Sequence, residues 1–279
     1  MESCVSRRIG VLLLPLGLLL AGCDLSLGHL TARATDEWSR SYPLEAGGEI
    51  RIVNTNGKIE IEGVDGSTVE VRAERIARGA TDAAARELLP RIVIKEDIKP
   101  DRVSLETERM SGIMIGAAFE VRYHVRAPKS AVVNITNTNG QVALAALNGK
   151  VKAQTTNGGV NGRNLTGGVD ARSTNGGVTI DMASIGPDSI SLRTTNGGVT
   201  LTLPDGAKAN LTASCTNGGI NVSALDNLEI SEQSRRRLEG RLNGGGTAIE
   251  VRTTNGGIRV RPRTQAEATR TTEAEKSDR

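Results

Sequence analysis

From about Val133 onward the chain is a series of short runs in which apolar or small residues alternate with polar ones. That period of two marks a strand with one buried face. One run places Val151, Ala153 and Thr155 on one side and Lys152 and Gln154 on the other. The next repeats it with Val169, Ala171 and Ser173, the third with Ile190, Leu192 and Thr194, the fourth with Leu211, Ala213 and Cys215. A second run follows each turn, with Val178 and Ile180, or Val199, Leu201 and Leu203, facing inward. An early copy has Ile50, Ile52, Ile59, Ile61, Val69 and Val71, and a late copy spans Ile249–Val260.

The turns are nearly identical. Thr-Asn-Gly-Gly begins at Thr156, Thr174, Thr195, Thr216 and Thr254, and Thr-Asn-Gly at Thr55 and Thr138. From Asn139 the corner asparagines fall at Asn157, Asn175, Asn196 and Asn217, a period of 18 residues twice and then 21 twice, with Asn255 a further 38 on. Asn-Gly between alternating runs is also a hairpin signal. A fixed period with the same inward pattern favours a solenoid in which each repeat is one coil. Asn and Gly suit the corner because both tolerate positive φ. In a stack, Asn139, Asn157, Asn175, Asn196, Asn217 and Asn255 form one column about 4.8 Å apart, a structural ladder of amide hydrogen bonds. A second corner lies half a period on, at Ala146–Gly149 and Asn164–Gly167, and it absorbs the longer coils around Ile185–Asp188 and Pro204–Gly206. The expected fold is all-β: a parallel β-solenoid (β-helix), right-handed, of about 18–21 residues per coil, with small helical inserts.

The expected organisation is a signal peptide over 1–22, a tether over 23–40, the solenoid over 41–262 and a disordered tail over 263–279. An insert at about 74–132 holds a helix near Thr81–Leu89, capped by Thr81 or Asp82, and strands near 91–96, 102–108 and 118–126. A helical insert at about 228–242 displaces the last coil.

Arg7 and Arg8 precede an apolar run, Ile9–Leu20, too short to span a membrane comfortably. It ends in Leu20-Ala21-Gly22-Cys23, which resembles the bacterial lipobox and implies cleavage before Cys23 and lipidation of its thiol. Acyl chains at Cys23 would hold the protein on a membrane. Asp24 resembles an inner-membrane retention signal, equally readable as a solvated linker residue. The expected location is the cell envelope: the periplasmic face of either membrane, or the cell surface. Removal of Cys4 and lipidation of Cys23 leave Cys215 alone, so the mature domain has no internal disulfide. Cys215 sits in an inward slot and is expected to be buried and inert.

With 35 basic and 32 acidic residues the charge makes no case for nucleic acid. Aromatic residues number four, Trp38, Tyr42, Phe119 and Tyr123, and none lies in the repeats, which argues against glycan recognition by ring stacking.

The repeated Thr-Asn-Gly-Gly-Val-type corners are similar to those of a bacterial family labelled "putative adhesin", a domain of unknown function, over roughly residues 45–262. The resemblance implies a β-solenoid in an extended envelope protein. It brings no catalytic residues.

The residues themselves offer little chemistry. His29 falls in the tether and His124 in a strand; there is no His-Glu-x-x-His, Cys-x-x-Cys, Gly-x-Ser-x-Gly or calcium nonapeptide. Gly244-Gly245-Gly246 lacks the lysine of a phosphate loop. Outward positions mix Lys152, Gln154, Asp170, Arg172, Thr179, Asp181, Ser191 and Arg193, not the paired carboxylates of a glycosidase. A regular outward Thr-x-Thr array, as ice binding would need, is not maintained beyond Thr200 and Thr202. The expected function is therefore a lipid-anchored, non-enzymatic scaffold without cofactor or metal. It would contact the membrane through Cys23 and an envelope protein or glycan through the coils. The alternative is a polysaccharide-binding or polysaccharide-cleaving β-helix.

Overall fold

The computed structural model describes residues 32–108, 117–223, 225 and 227–264. Seven coils each contribute one strand to each of two sheets. In chain order their first strands are Glu49–Asn56, Val132–Asn139, Val151–Asn157, Val169–Asn175, Ile190–Asn196, Ala209–Asn217 and Thr247–Asn255. Their second strands are Ile59–Val64, Val142–Ala145, Val160–Leu165, Val178–Met182, Val199–Leu203, Ile220–Val222 and Ile258–Pro262. All first strands join one sheet and all second strands the other, and neighbouring coils pair in parallel. The Asn-Gly corner thus passes the chain between sheets and does not make a hairpin.

Parallel register stacks like on like. Val151 pairs with Val169, then Ile190 and Ile249; Ala153 pairs with Ala171, then Leu192 and Val251. These side chains meet Val160, Val178, Ile180, Val199 and Leu201 of the facing sheet in one buried core. Alternation is what allows it, because each strand sends one residue in two to the core.

The stack does not follow chain order. The seventh coil lies between the fifth and the sixth: Ile190 pairs with Ile249, and Ile249 with Leu211. The sixth coil is consequently terminal, and Ile220 and Val222 are only partly buried.

The segment expected as a helix at 228–242 is instead a hairpin, Leu228–Gln233 against Arg237–Leu242. The physical reason is a second period-two run: Leu238, Gly240 and Leu242 are buried while Glu239 and Arg241 face outward. Ser234 closes the turn by accepting the Arg237 N–H on Oγ (3.0 Å) and donating its own N–H to the Arg237 carbonyl (2.8 Å). Arg237–Leu242 pairs antiparallel with Ala209–Ser214 and covers the open edge of the first sheet.

The opposite end is built from the larger insert. Arg102–Thr107 continues the first sheet in parallel, and Ile94–Lys99 closes it antiparallel. Ala117–Pro128 continues the second sheet in parallel, followed by antiparallel Thr68–Gly79 and Ala32–Pro43. The helix is Asp82–Leu88, with Thr81 Oγ1 accepting the Ala84 N–H and Ala85 and Leu88 buried.

Two expected boundaries move. The tether assigned to 23–40 is sheet from Ala32, because Arg33 and Asp36 form ion pairs with Glu74 and Arg75 and the whole strand pairs with Thr68–Gly79. Arg263, assigned to the tail, belongs to the fold: its N–H donates to the Leu203 carbonyl (2.8 Å) and its guanidinium lies 3.1 Å from Asp181. The remainder of the tail, 265–279, lies outside the described residues, as do the signal peptide and Cys23.

Candidate binding face

One edge of the stack is a continuous hydrogen-bonded corner. Asn139 Nδ2 donates to Asn56 Oδ1 (2.7 Å), Asn157 to Asn139 (2.7 Å), Asn175 to Asn157 (2.8 Å) and Asn196 to Asn175 (2.9 Å). Asn255 then donates to Asn196 (2.7 Å) and Asn217 to Asn255 (2.8 Å). The ladder includes Asn56, not expected from the sequence although it follows Thr55 in the same motif. At its far end Asn56 donates to the Phe119 carbonyl (3.2 Å). Backbone bonds run the other way: the Gly158 N–H donates to the Asn175 carbonyl and the Gly176 N–H to the Asn196 carbonyl, both at 2.9 Å.

The corner glycine is required chiefly by space. A Cβ on Gly176 would lie 2.2 Å from the Gly158 carbonyl oxygen. Gly176 has φ +156°, but Gly197, whose φ falls outside the left-handed region, meets the same obstruction, 2.2 Å from the Gly176 oxygen. The corner asparagines end strands and do not adopt positive φ, so their role is their side chain.

A second ladder lies just inside. Thr155, Ser173, Thr194 and Thr253 are buried, and each hydroxyl donates to the first corner glycine carbonyl of the neighbouring coil: Gly140, Gly158, Gly176 and Gly197, at 2.7–3.0 Å. Asn137 performs the same task with Nδ2, donating to Gly57 (2.9 Å). The polar inward slot is thus a satisfied buried donor. Cys215 occupies that slot in the sixth coil, 6% exposed, with Sγ 4.0 Å from the Arg235 carbonyl oxygen.

The outer face of the first sheet carries the most regular surface. Register aligns Thr136, Gln154, Arg172, Arg193, Arg252 and Ser214 in one column. A parallel column runs Asn134, Lys152, Asp170, Ser191, Glu250 and Thr212. Asp170 accepts two hydrogen bonds from Arg172, at 2.9 and 3.0 Å. Glu250 accepts from Arg193 on one oxygen and lies 2.6 Å from Arg252 on the other. The Arg193 hydrogen bond holds the Glu250 carboxyl below the usual range against the opposing effect of burial, with the charges of Arg193, Arg252 and Arg172 assisting. Beside the arginines, Thr156, Thr174, Thr195, Thr254 and Thr216 are exposed. Together they line a shallow groove of about 650 Å³. Glu250 and Arg252 are not among the residues singled out from sequence. Their alternation with Ile249, Val251 and Thr253 is the signal that would have placed them outward.

At the insert end the second sheet carries a wider concavity of about 1100 Å³, lined by Glu60, Glu62, Glu70, Arg72, His124 and Arg126 among others. His124 Nδ1 lies 2.7 Å from Glu60 Oε2, and Lys58 pairs with the other oxygen. His124 is more than half exposed. Asp170 and Asp181, the carboxylates weighed for catalysis, sit on opposite sheets and are each tied to an arginine, Arg172 and Arg263. Among the described residues no three His, Cys, Asp or Glu side chains are grouped to hold a metal, and no helix is long and apolar enough to cross a membrane.

Solved structures similar to this one include three from different bacteria. A "putative cell adhesion protein" from Clostridium sporogenes is 13% identical, with 82% of this chain and 100% of that chain covered and a TM-score of 0.39. A "putative adhesin" from Bacteroides fragilis is 10% identical, with 82% and 97% covered and a TM-score of 0.38. Another from Parabacteroides distasonis is 13% identical, with 81% and 97% covered and a TM-score of 0.25. No curated protein matches this chain. The model of the Toastrack family, a domain of unknown function, matches residues 44–261, which include all seven coils, and the chain belongs to that family.

Proposed function

We propose that this protein is a lipid-anchored cell-envelope scaffold that binds an envelope protein or glycan and does not catalyse. The observation that carries this reading is the register of the first sheet. It stacks Arg172, Arg193 and Arg252, with the corner threonines beside them, across adjacent coils and makes a fixed surface. Asp170 and Glu250 on that face accept from guanidiniums, an arrangement that supports a static surface better than proton transfer. Cys23, after the Leu-Ala-Gly that ends the apolar run, is the proposed anchor. We read the winding as right-handed, the sense that right-twisted strands favour in parallel crossovers.

Two measurements test this. The full chain should incorporate a palmitate analogue and fractionate with membranes, and Cys23→Ala should do neither. Labelling of the Cys23→Ala protein would overturn the anchor. The purified protein should bind isolated cell envelopes without shortening their glycans. Glycan cleavage abolished by Asp170→Asn or Asp181→Asn would replace the scaffold with a polysaccharide-cleaving enzyme.

A further inference from the structure

Arg172, Arg193 and Arg252 come from the fourth, fifth and seventh coils, whose strands are adjacent in the sheet. Parallel register sets the three arginine backbones one strand spacing apart, about 4.8 Å per step. Their ion pairs on this face use two carboxylates, Asp170 and Glu250, so one positive charge is left over. Like charges directly opposite on neighbouring strands cost stability. The same column holds Thr136, Gln154 and Ser214 in other coils, so the fold does not require arginine there. The three side chains remain between about two fifths and three fifths exposed, Arg252 most at 58%. Immediately beside them stand Thr174, Thr195 and Thr254, all exposed and in the same groove.

From this juxtaposition we infer that the Arg172–Arg193–Arg252 column with its threonines is a binding site for a linear glycan bearing repeated anionic groups. Guanidinium offers paired N–H donors that match carboxylate, sulfate or phosphate oxygens. Threonine hydroxyls can donate to or accept from sugar hydroxyls. A polymer laid along the stack, across the strands, meets a new arginine and a new threonine at every coil. A strand spacing is comparable to one extended sugar residue, so successive anionic groups can meet successive coils. Recognition would be electrostatic and polar, as a face without aromatic rings requires. This inference rests on the scaffold reading and assigns its ligand class.

The test measures binding of the purified full chain to polygalacturonate, dextran sulfate and neutral dextran at low salt. Binding to either polyanion, weakened by added salt and absent for dextran, is expected; comparison of the two distinguishes carboxylate from sulfate recognition. Arg172→Gln and Arg252→Gln should each lower the affinity about tenfold, the size of one charge-assisted contact. Arg259→Gln, on the outer face of the other sheet, should leave it unchanged. Melting curves identify any variant that has lost its fold, and the comparison then rests on the other. Polyanion binding no tighter than dextran, or an equal loss in Arg259→Gln, overturns the site. If envelope binding persists in that case, the scaffold reading stands; if envelopes are not bound either, both fail.

Discussion

Asn255 donates its side-chain amide to Asn196 Oδ1 at 2.7 Å, although the two are 59 residues apart and Asn217 lies between them in the chain. Asn217 in turn donates to Asn255 (2.8 Å), which makes it the last rung. The final coil has been inserted into the stack, and the ladder follows space and not sequence.

Asn196→Ala removes two amide bonds, and Asn217→Ala removes one. At a net value of about 1 kcal/mol per bond, somewhat less at this exposed corner, the first should cost about 1–2 kcal/mol and the second about half as much. Denaturant unfolding measures both. A double-mutant cycle should find coupling between Asn196 and Asn255 and none between Asn196 and Asn217. Coupling of the second pair would mean the coils stack in chain order.

Gly176→Ala and Gly197→Ala each drive a Cβ to 2.2 Å from a backbone oxygen, and both should cost about 3 kcal/mol. A Cβ on Gly219 meets nothing within 4 Å, so Gly219→Ala should be neutral or slightly stabilising. If Gly176→Ala destabilised and Gly197→Ala did not, dihedral strain rather than the close approach of coils would explain the motif.

Cys215→Thr restores the hydroxyl that Thr155, Ser173, Thr194 and Thr253 place in the same slot, facing the neighbouring corner glycine. By register its acceptor is the Gly256 carbonyl. A gain of about 1 kcal/mol in unfolding free energy is expected. The native thiol should react slowly with a thiol reagent, since it is 6% exposed. A lower melting temperature for Cys215→Thr would show that the terminal coil has no room for the hydroxyl pattern.

Glu250 is held below the ordinary glutamate range by the hydrogen bond from Arg193. A depressed folded-state pKa contributes stability above the unfolded value, lost as pH falls through the folded one. Glu250→Gln should therefore lower the melting temperature at pH 7, by the equivalent of roughly 1 kcal/mol for a partly exposed pair. The difference from the unmodified protein should shrink below the ordinary glutamate range. A difference that persists undiminished at low pH would mean that packing, not charge, is what the substitution disturbs.

Much of the architecture was legible in the residues themselves. Period-two alternation and the repeated Thr-Asn-Gly-Gly corner are local, and local geometry settles them: one face buries, and one corner recurs. They placed the inward residues and the asparagine column; the helix was legible from its own cap, Thr81 or Asp82, of which the structure uses Thr81. The misreadings share a cause. Residues 228–242 are rich in charge, and the alternation of Leu238, Gly240 and Leu242 carries its meaning only once Ala209–Ser214 offers an edge to pair with. Ala32–Pro43 has few large apolar residues and is ordered by pairing with Thr68–Gly79 and by its ion pairs. The order of the last two coils was beyond any local pattern, because both present nearly the same inward residues and either would fit beside Ile190–Asn196. Tertiary structure decides it: the 228–242 hairpin pairs with the sixth coil's outer edge and leaves the inner place to the seventh. That choice also sets Arg252 beside Arg193, so the third arginine joins the candidate binding column through a contact between residues far apart in the chain.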